Sequence, residues 1–429
     1  VPETWVVERI APGGEGFGRT AAGQIVFVPG ALPGDEIQPD SIQRHRGYLR
    51  AAAWSLVRPG PERVAAPCPV AETCGGCGLM GLSRTAQLRE KSGILGQALR
   101  RTGHLEVPSP PVQTVGPDLG YRHRVRLQVD DRGTVGFFAP RSHSVVPVER
   151  CAVALPALNE GLSALARAPT GSMSALESIE LRAAPRGAPL VAVGRTRRGA
   201  GAAARRALDR AVAGVALPWI AGDPPGDAPE QRYPLPGGIE LRAGPETFTQ
   251  INWPVNERLV ADLVASAAER HVRSFADLYA GAGNFALPLL AAGLTGLAVE
   301  RDAEAVRRAR RAAVAEGLPE ATFRAGTAEG IARDDGDSLR SVDLVVLDPP
   351  RAGAQAVLPA LLRVRPRWIA LVACDPVVLA RDLRALREGG YTIEQVAAYD
   401  MFPHTHHLES VAWLTDAHPS SSRLGPAEL

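Results

Sequence analysis

Four short apolar runs, Ser274–Tyr279, Leu297–Glu300, Val342–Asp348 and Trp368–Ala373, alternate with helical stretches in the C-terminal part of the chain. The last two are continuously apolar, the pattern of parallel strands buried on both faces. An Arg/Ala-rich helix over 302–316 and a second over 377–388 fall between the runs. Strand–helix alternation of this kind specifies a doubly wound α/β sheet, a Rossmann-like domain from about 249 to 416. None of the apolar runs approaches the length of a membrane span.

Open α/β sheets bind ligands outside the carboxyl ends of their strands, so the residues just after each run are the ones to read for chemistry. After the first run comes Ala280-Gly281-Ala282-Gly283-Asn284-Phe285, where a Gly-x-Gly turn lets backbone approach a ligand. Glu300 ends the next strand, about 20 residues on, where an acid accepts hydrogen bonds from a ribose. A nucleotide-like ligand is expected, with NAD and S-adenosylmethionine both open. Asp348 ends the third run in Asp348-Pro349-Pro350-Arg351 and can hold an amide or imide N–H, or simply cap a turn. Cys374 ends the fourth, with Asp375 and Pro376 as N-cap and first residue of a helix. A thiol at a helix N-terminus is favoured as thiolate, although a small buried core cysteine is the commoner case. Glu409 follows a His-rich loop (His404, His406, His407) into an edge strand; alone it reads as a solvated surface acid.

The N-terminal part is organised differently. Up to residue 57, β-branched runs and glycine turns describe a small β-barrel, and 58–67 is a Pro-rich linker. Cys68, Cys74 and Cys77 then stand within ten residues, in a chain of five cysteines. Three thiols leave a tetrahedral metal or a cubane cluster one ligand short; Cys151 is the fourth candidate, which leaves Cys374 free. Residues 82–102 carry apolar side chains at helical spacing, and a second β-rich region runs from 121 to 195. Net charge is only +2, but eight arginines and one acid lie between Arg182 and Arg210, and Arg44, Arg46 and Arg50 form another basic cluster. Such clusters suit RNA phosphates or are solvated faces. The odd cysteine count and a start, VPETWVVERIAPG, without a secretory signal lead us to expect a reducing, cytoplasmic compartment.

With these residues in place, the chain resembles the RNA uracil-C5 methyltransferases, in particular the ribosomal-RNA branch with a TRAM domain and an iron–sulfur cluster. GGEGFGR and VFVPGALPGD resemble the TRAM barrel; CPVAETCGGC with Cys151 is similar to the cluster motif; ETFTQIN, DLYAGAGNF, LDPPRAG, CDPVVLARDL and DMFPHTHHLESV resemble the methyltransferase motifs in their usual order. The resemblance implies a [4Fe–4S] centre on Cys68, Cys74, Cys77 and Cys151. It implies contacts to S-adenosylmethionine or the target base from Gln250, Tyr279, Gly281, Gly283, Asn284, Glu300 and Asp348. It also makes Cys374 the nucleophile and Glu409 the general base. The implied organisation is α/β: a TRAM (OB-like) barrel over 1–57, a central α+β iron–sulfur domain over 58–248, the methyltransferase domain over 249–416 and a disordered tail, 417–429, with the helix near 80–105 packed on the methyltransferase domain. The implied protein is a cytoplasmic monomer methylating uracil C5, with 23S ribosomal RNA favoured over tRNA. Ala-Cys-Asp-Pro departs from the usual Ser/Thr-Cys-Asn-Pro, and Thr327 stands where relatives carry an adenine-binding Asp. The alternatives are a non-catalytic RNA-binding protein with a four-cysteine metal module and a nicotinamide oxidoreductase; the latter is disfavoured by the incomplete glycine motif.

Overall fold

The computed structural model describes residues 3–169, 171–185, 189–223, 228–334 and 339–417. Apart from residue 417, the tail expected to be disordered lies outside the described residues. Strands β1 (Trp5–Ile10), β2 (Gly16–Arg19), β3 (Ile25–Val28), β4 (Glu36–His45) and β5 (Tyr48–Arg58) close into a barrel in the order β1-β2-β3-β5-β4. Alternate residues Trp5, Val7, Val26, Val28, Leu49 and Ala51 fill its interior, as period-two alternation requires. At the β4–β5 tip the rings of His45 and Tyr48 stack at 4.5 Å among the arginines of the basic cluster.

Helix α1 (Arg84–Arg101), capped by the Ser83 hydroxyl, and the short strand β6 (Val112–Gln113) follow the cysteine segment. The next strands are β7 (Arg124–Val129), β8 (Val135–Phe138) and β9 (Val145–Pro147), then helix α2 (Pro156–Ala166), β10 (Leu176–Arg182) and β11 (Val191–Thr196). Helix α3 (Gly201–Ala211) and β12 (Leu217–Ile220) complete a six-stranded sheet ordered β12-β11-β10-β7-β8-β9. Val125, Leu127, Ile179 and Leu181 bury one face of this sheet with residues of α2 and α3. The opposite face is charged. Arg182 lies on that side but is only 1% exposed. It donates to the carbonyls of Pro245 and Thr247 and, at 3.2 Å, to Thr249 Oγ1, so this arginine is an internal strut and not an RNA contact.

The cysteine segment requires a correction. Cys68, Cys74, Cys77 and Cys151 line one hollow of about 70 Å³, shared with Val70, Met80 and Val125. Yet no group of three or more His, Cys, Asp or Glu side chains among the described residues is placed to hold a metal ion. The expected iron–sulfur character of the central domain, its [4Fe–4S] cofactor and the assignment of these four residues as metal ligands are overturned by that finding. The four thiols share this hollow with apolar side chains without being grouped so that they could ligate one ion. Burial pushes the Cys74, Cys77 and Cys151 thiols up, Cys77 to about 12. The same finding removes the metal from the alternative four-cysteine RNA-binding module.

A hairpin of β13 (Gln231–Leu235) and β14 (Ile239–Ala243) leads to helix α4 (Trp253–Glu269). The large sheet then begins with β15 (Ser274–Leu278), α5 (Ala286–Ala291), β16 (Thr295–Glu300), α6 (Ala303–Ala315), β17 (Phe323–Ala325) and α7 (Ala328–Asp334). It continues with β18 (Leu344–Leu347), α8 (Leu358–Val364), β19 (Trp368–Ala373), α9 (Pro376–Glu388), β20 (Tyr391–Tyr399) and β21 (Glu409–Asp416). The eight strands lie in the order β17-β16-β15-β18-β19-β21-β20-β6. The β17-to-β19 block is parallel, and β21 runs antiparallel between β19 and β20. The chain reverses direction around β15, which makes the carboxyl ends of β15, β16 and β18 the ligand crevice. The outermost strand, β6, comes from the N-terminal half, and Leu95, Ala98 and Leu99 of α1 share a core with Leu371, Leu379, Leu383 and Ala398. No helix among the described residues is long and apolar enough to cross a membrane.

The barrel also reaches this sheet. Gly14, in the β1–β2 turn at φ 81°, sits so close to the β20–β21 loop that a Cβ there would lie 2.3 Å from His406 Nδ1. Glycine is required both for the backbone angle and for the approach.

Candidate active site

Topology brings the two reactive candidates together. Because β21 is antiparallel to β19, its first residue lies at the carboxyl end of β19, and Ala373 pairs with Ser410. Cys374 and Glu409 therefore follow and precede paired residues at the same rim. Glu409 is 2% exposed on an interior strand, not a surface acid on an edge strand as its neighbourhood in the sequence suggests. Asp375 caps α9 as expected, accepting from the N–H of Val377 (2.8 Å) and Val378 (3.2 Å), with Pro376 next.

Burial dominates the electrostatics. The Cys374 thiol is pushed up to about 12, first by burial and then by the charges of Glu409, Asp348 and Asp375, against the opposing pull of Arg351. The helix N-terminus does not make this thiol a resting thiolate, because desolvation and three nearby acids outweigh the dipole. Asp348 is raised to about 7 by burial, offset in part by Gln250 Nε2, which donates to Asp348 Oδ2 at 3.2 Å. Glu409 is held well above the usual carboxylate range by burial and by Asp348. Asp277, in β15, is raised in the same way by burial, Asp348 and Glu300. Three carboxyls raised mainly by burial, Asp277, Asp348 and Glu409, thus share this crevice with Arg351.

These shifts predict a pH dependence. A carboxyl whose folded pKa exceeds its unfolded value near 4 binds more protons when folded, so stability falls as pH rises between the two. For Asp348 the window runs from about pH 4 to about 7. Asp348→Asn is expected to raise the melting temperature at pH 8 and to leave it nearly unchanged at pH 4, as read by thermal denaturation at both values.

The turn after β15 is shaped for a ligand. Tyr279 has φ 124°, rare for a side-chain-bearing residue, and the Tyr279 and Ala280 N–H groups both donate to Val299 O, at 3.1 and 3.0 Å. Gly281 has φ 54°, and a Cβ there would meet nothing within 4 Å. Its N–H donates to Glu300 Oε2 at 3.0 Å, while Asp302 N–H donates to Oε1 at 2.9 Å. Gly283, at φ 98°, packs against Leu287. Asn284 pairs reciprocally with Asn256 at 2.8 and 3.0 Å, and the Tyr279 hydroxyl donates to Glu329 Oε1 at 3.1 Å. Thr327 Oγ1 accepts from Gly330 N–H at 3.0 Å, so the residue standing in place of the adenine-binding acid caps its own turn.

Gln250, Tyr279, Gly281, Gly283, Asn284, Glu300, Asp348, Cys374 and Glu409 thus gather around one crevice, whereas the four clustered cysteines line a separate hollow beside the central sheet. Asp277, Asn256 and Arg351 join this site without having been singled out in the sequence. The Asp277 carboxylate is fully buried, with the Ala286 N–H as its backbone donor. Asp277 and Arg351 were within reach, since each adjoins a motif already singled out; nothing local marks Asn256.

The tRNA (Uracil-5-)-methyltransferase family matches residues 238–417, and a TRAM domain matches 6–52. The 23S rRNA (uracil(1939)-C(5))-methyltransferase RlmD of Chromohalobacter salexigens is 35% identical, over 95% of this chain and 88% of that one. The chain belongs to the RNA uracil-C5 methyltransferases. RlmD of Bordetella parapertussis is 34% identical over 91% of this chain and 88% of its own. Among solved structures, the Pyrococcus abyssi tRNA (uracil-54, C5)-methyltransferase, in complex with S-adenosyl-L-homocysteine, superposes with a TM-score of 0.72 over 96% of this chain and 99% of that one. At 24% identity this likeness shows the fold alone. As an RNA uracil-C5 methyltransferase the chain uses S-adenosylmethionine, and its TRAM domain makes it an RNA-binding protein. Gly281, open on its Cβ side beside Glu300, fits close approach by a ribose-bearing cofactor.

Proposed function

We propose that this methyltransferase modifies a uridine of 23S ribosomal RNA, through a transient bond between Cys374 and uracil C6. The observation that carries the mechanism is the register of Ala373 with Ser410, which brings a nucleophile and a buried carboxyl to one rim. The substrate assignment is supported by the RlmD relatives, aligned over nearly the whole chain.

Uracil C5 is too weak a nucleophile to take a methyl group unaided. Addition of Cys374 Sγ to C6 moves the C5–C6 π pair onto C5 and O4 as an enolate. Bound S-adenosylmethionine would supply the electrophilic methyl and, as a sulfonium, positive charge that favours ionisation of Cys374, Asp348 and Glu409, their protons passing to solvent before the base is enclosed. C5 takes the methyl; Glu409 removes the C5 proton, the re-formed enolate expels Sγ, and the C5–C6 double bond returns. Asp348 accepts the uracil N3–H, with Gln250 fixing its carboxylate. Gln250, Tyr279, Gly281, Gly283, Asn284 and Glu300 hold the cofactor. The target base is first unstacked from its loop, and the basic β4–β5 tip with its stacked His45 and Tyr48 holds the flanking strand. The working division is 1–57 for RNA binding, 58–248 for the central sheet and 249–416 for catalysis. The proposed ribosomal substrate supports a cytoplasmic site of action.

The test is RNA carrying 5-fluorouridine at the target. Fluorine cannot leave C5 as a proton does, so a covalent protein–RNA complex stable to denaturation is expected. Its absence, with methylation of ordinary RNA intact, defeats the covalent route. Mapping 5-methyluridine in RNA from a deletion strain, with loss from tRNA instead of 23S ribosomal RNA, would reassign the substrate.

A further inference from the structure

The chain contains one lysine, Lys91, and it is fully buried in α1. Its Nζ donates to Asp400 Oδ1 and, at 2.9 Å, to the carbonyl of Phe402. Arg84, two turns earlier, pairs with the other oxygen of Asp400. Between them Gln87, 1% exposed, grips the backbone of His404: Gln87 Oε1 accepts the His404 N–H at 3.0 Å, and Nε2 lies 3.2 Å from His404 Nδ1. His404 has φ 64°, a left-handed angle that a β-carbon disfavours and that persists only where neighbours hold it. Leu79 N–H donates to the His404 carbonyl at 2.9 Å, and the Tyr121 hydroxyl to that of Pro403 at 3.1 Å.

All these contacts fall on residues 400–404, the start of the loop between β20 and β21. That loop ends at Glu409, which pairs with Tyr399 across the hairpin. The other side of α1 is tied to the barrel, where Glu90 Oε2 accepts the Ile10 N–H at 2.8 Å, and its C-terminal turns pack on the catalytic sheet through Leu95, Ala98 and Leu99.

We propose that α1 is a positioning strut for the general base: Lys91 and Gln87 set the path of residues 400–404 and thereby the aim of Glu409 at the C5 proton. Neither residue touches the substrate; both act through the loop. A buried charge pair is retained here where apolar packing would hold the helix as well, and it specifies one placement of the loop. The inference rests on the reading of Glu409 as the base.

The experiment separates methyl transfer from product release. Full-length enzyme and RNA labelled with tritium at uracil C5 are used, following methyl incorporation, tritium release and the covalent protein–RNA fraction, with S-adenosylmethionine affinity as control. Lys91→Met and Gln87→Leu are expected to slow tritium release by ~10- to 100-fold, the scale of a 1 Å misplacement. Covalent complex should accumulate, with S-adenosylmethionine affinity within about threefold of the parent. Lys91→Arg, which keeps the charge, should recover much of the rate. Gln87→Leu removes no buried charge and carries the test alone if Lys91→Met does not fold. Normal release by Glu409→Gln overturns the base assignment and this inference with it. Slow release by Glu409→Gln together with parental release by Lys91→Met and Gln87→Leu overturns the strut alone. So does a parallel loss of methyl transfer, release and cofactor affinity, the mark of a merely structural role.

Discussion

Replacing Cys374 with alanine is expected to lower methyl transfer by roughly 10⁴- to 10⁶-fold, the range seen when a catalytic nucleophile is removed. The size follows from the chemistry: without addition at C6 there is no enolate, and the other groups in the crevice cannot make C5 attack a sulfonium carbon. The fluorouridine complex should vanish in the same variant. Stability and cofactor affinity should change little, because one partly exposed sulfur atom is lost. Methylation within about 100-fold of the parent rate would remove Cys374 from the mechanism. The resting thiol is pushed up to about 12, so the parent rate should also rise with pH at saturating cofactor, until the cofactor-bound thiol is ionised.

Glu409→Gln is expected to fail at the opposite end of the cycle. The amide cannot take the C5 proton, so methyl transfer proceeds and release falls by ~10²- to 10⁴-fold, the usual contribution of a positioned general base. Ordinary uridine RNA should then behave like the fluorinated analogue and leave the enzyme covalently attached, visible as a shifted band on denaturing gels. The substitution also removes an acid that burial and Asp348 hold well above its ordinary range, so the folded protein should gain stability at neutral pH. Rapid release by this variant would mean that another group removes the proton. Opposite defects from two residues at one rim are what a two-step cycle requires.

The parallel sheet and its crevice were legible from residue order alone. Buried strands at 344–347 and 368–373 need apolar residues at every position, and the chemistry-bearing residues follow immediately. The helix cap at Asp375 was legible too, since an acid before proline at a helix start satisfies local backbone donors. Glu409 was not. A carboxylate in a His-rich stretch looks solvated until β19 and β20 flank its strand and the packed sheet buries it. The cysteines show the opposite failure: CPVAETCGGC with Cys151 carried a cluster pattern, but spacing along the chain does not fix how side chains are grouped in space.

The α/β class, the small barrel ahead of it, the glycine turn beside Glu300 and a thiol at a strand end all follow from residue order. These depend on hydrophobic periodicity and turn chemistry, which act over a few residues. Packing of distant segments was needed to bury Glu409 beside Cys374, to gather three raised carboxyls in one crevice, to turn Arg182 inward, and to set the chain's one lysine against a loop more than three hundred residues away. Those are consequences of strand order and desolvation, and both come into being only when distant segments are packed together.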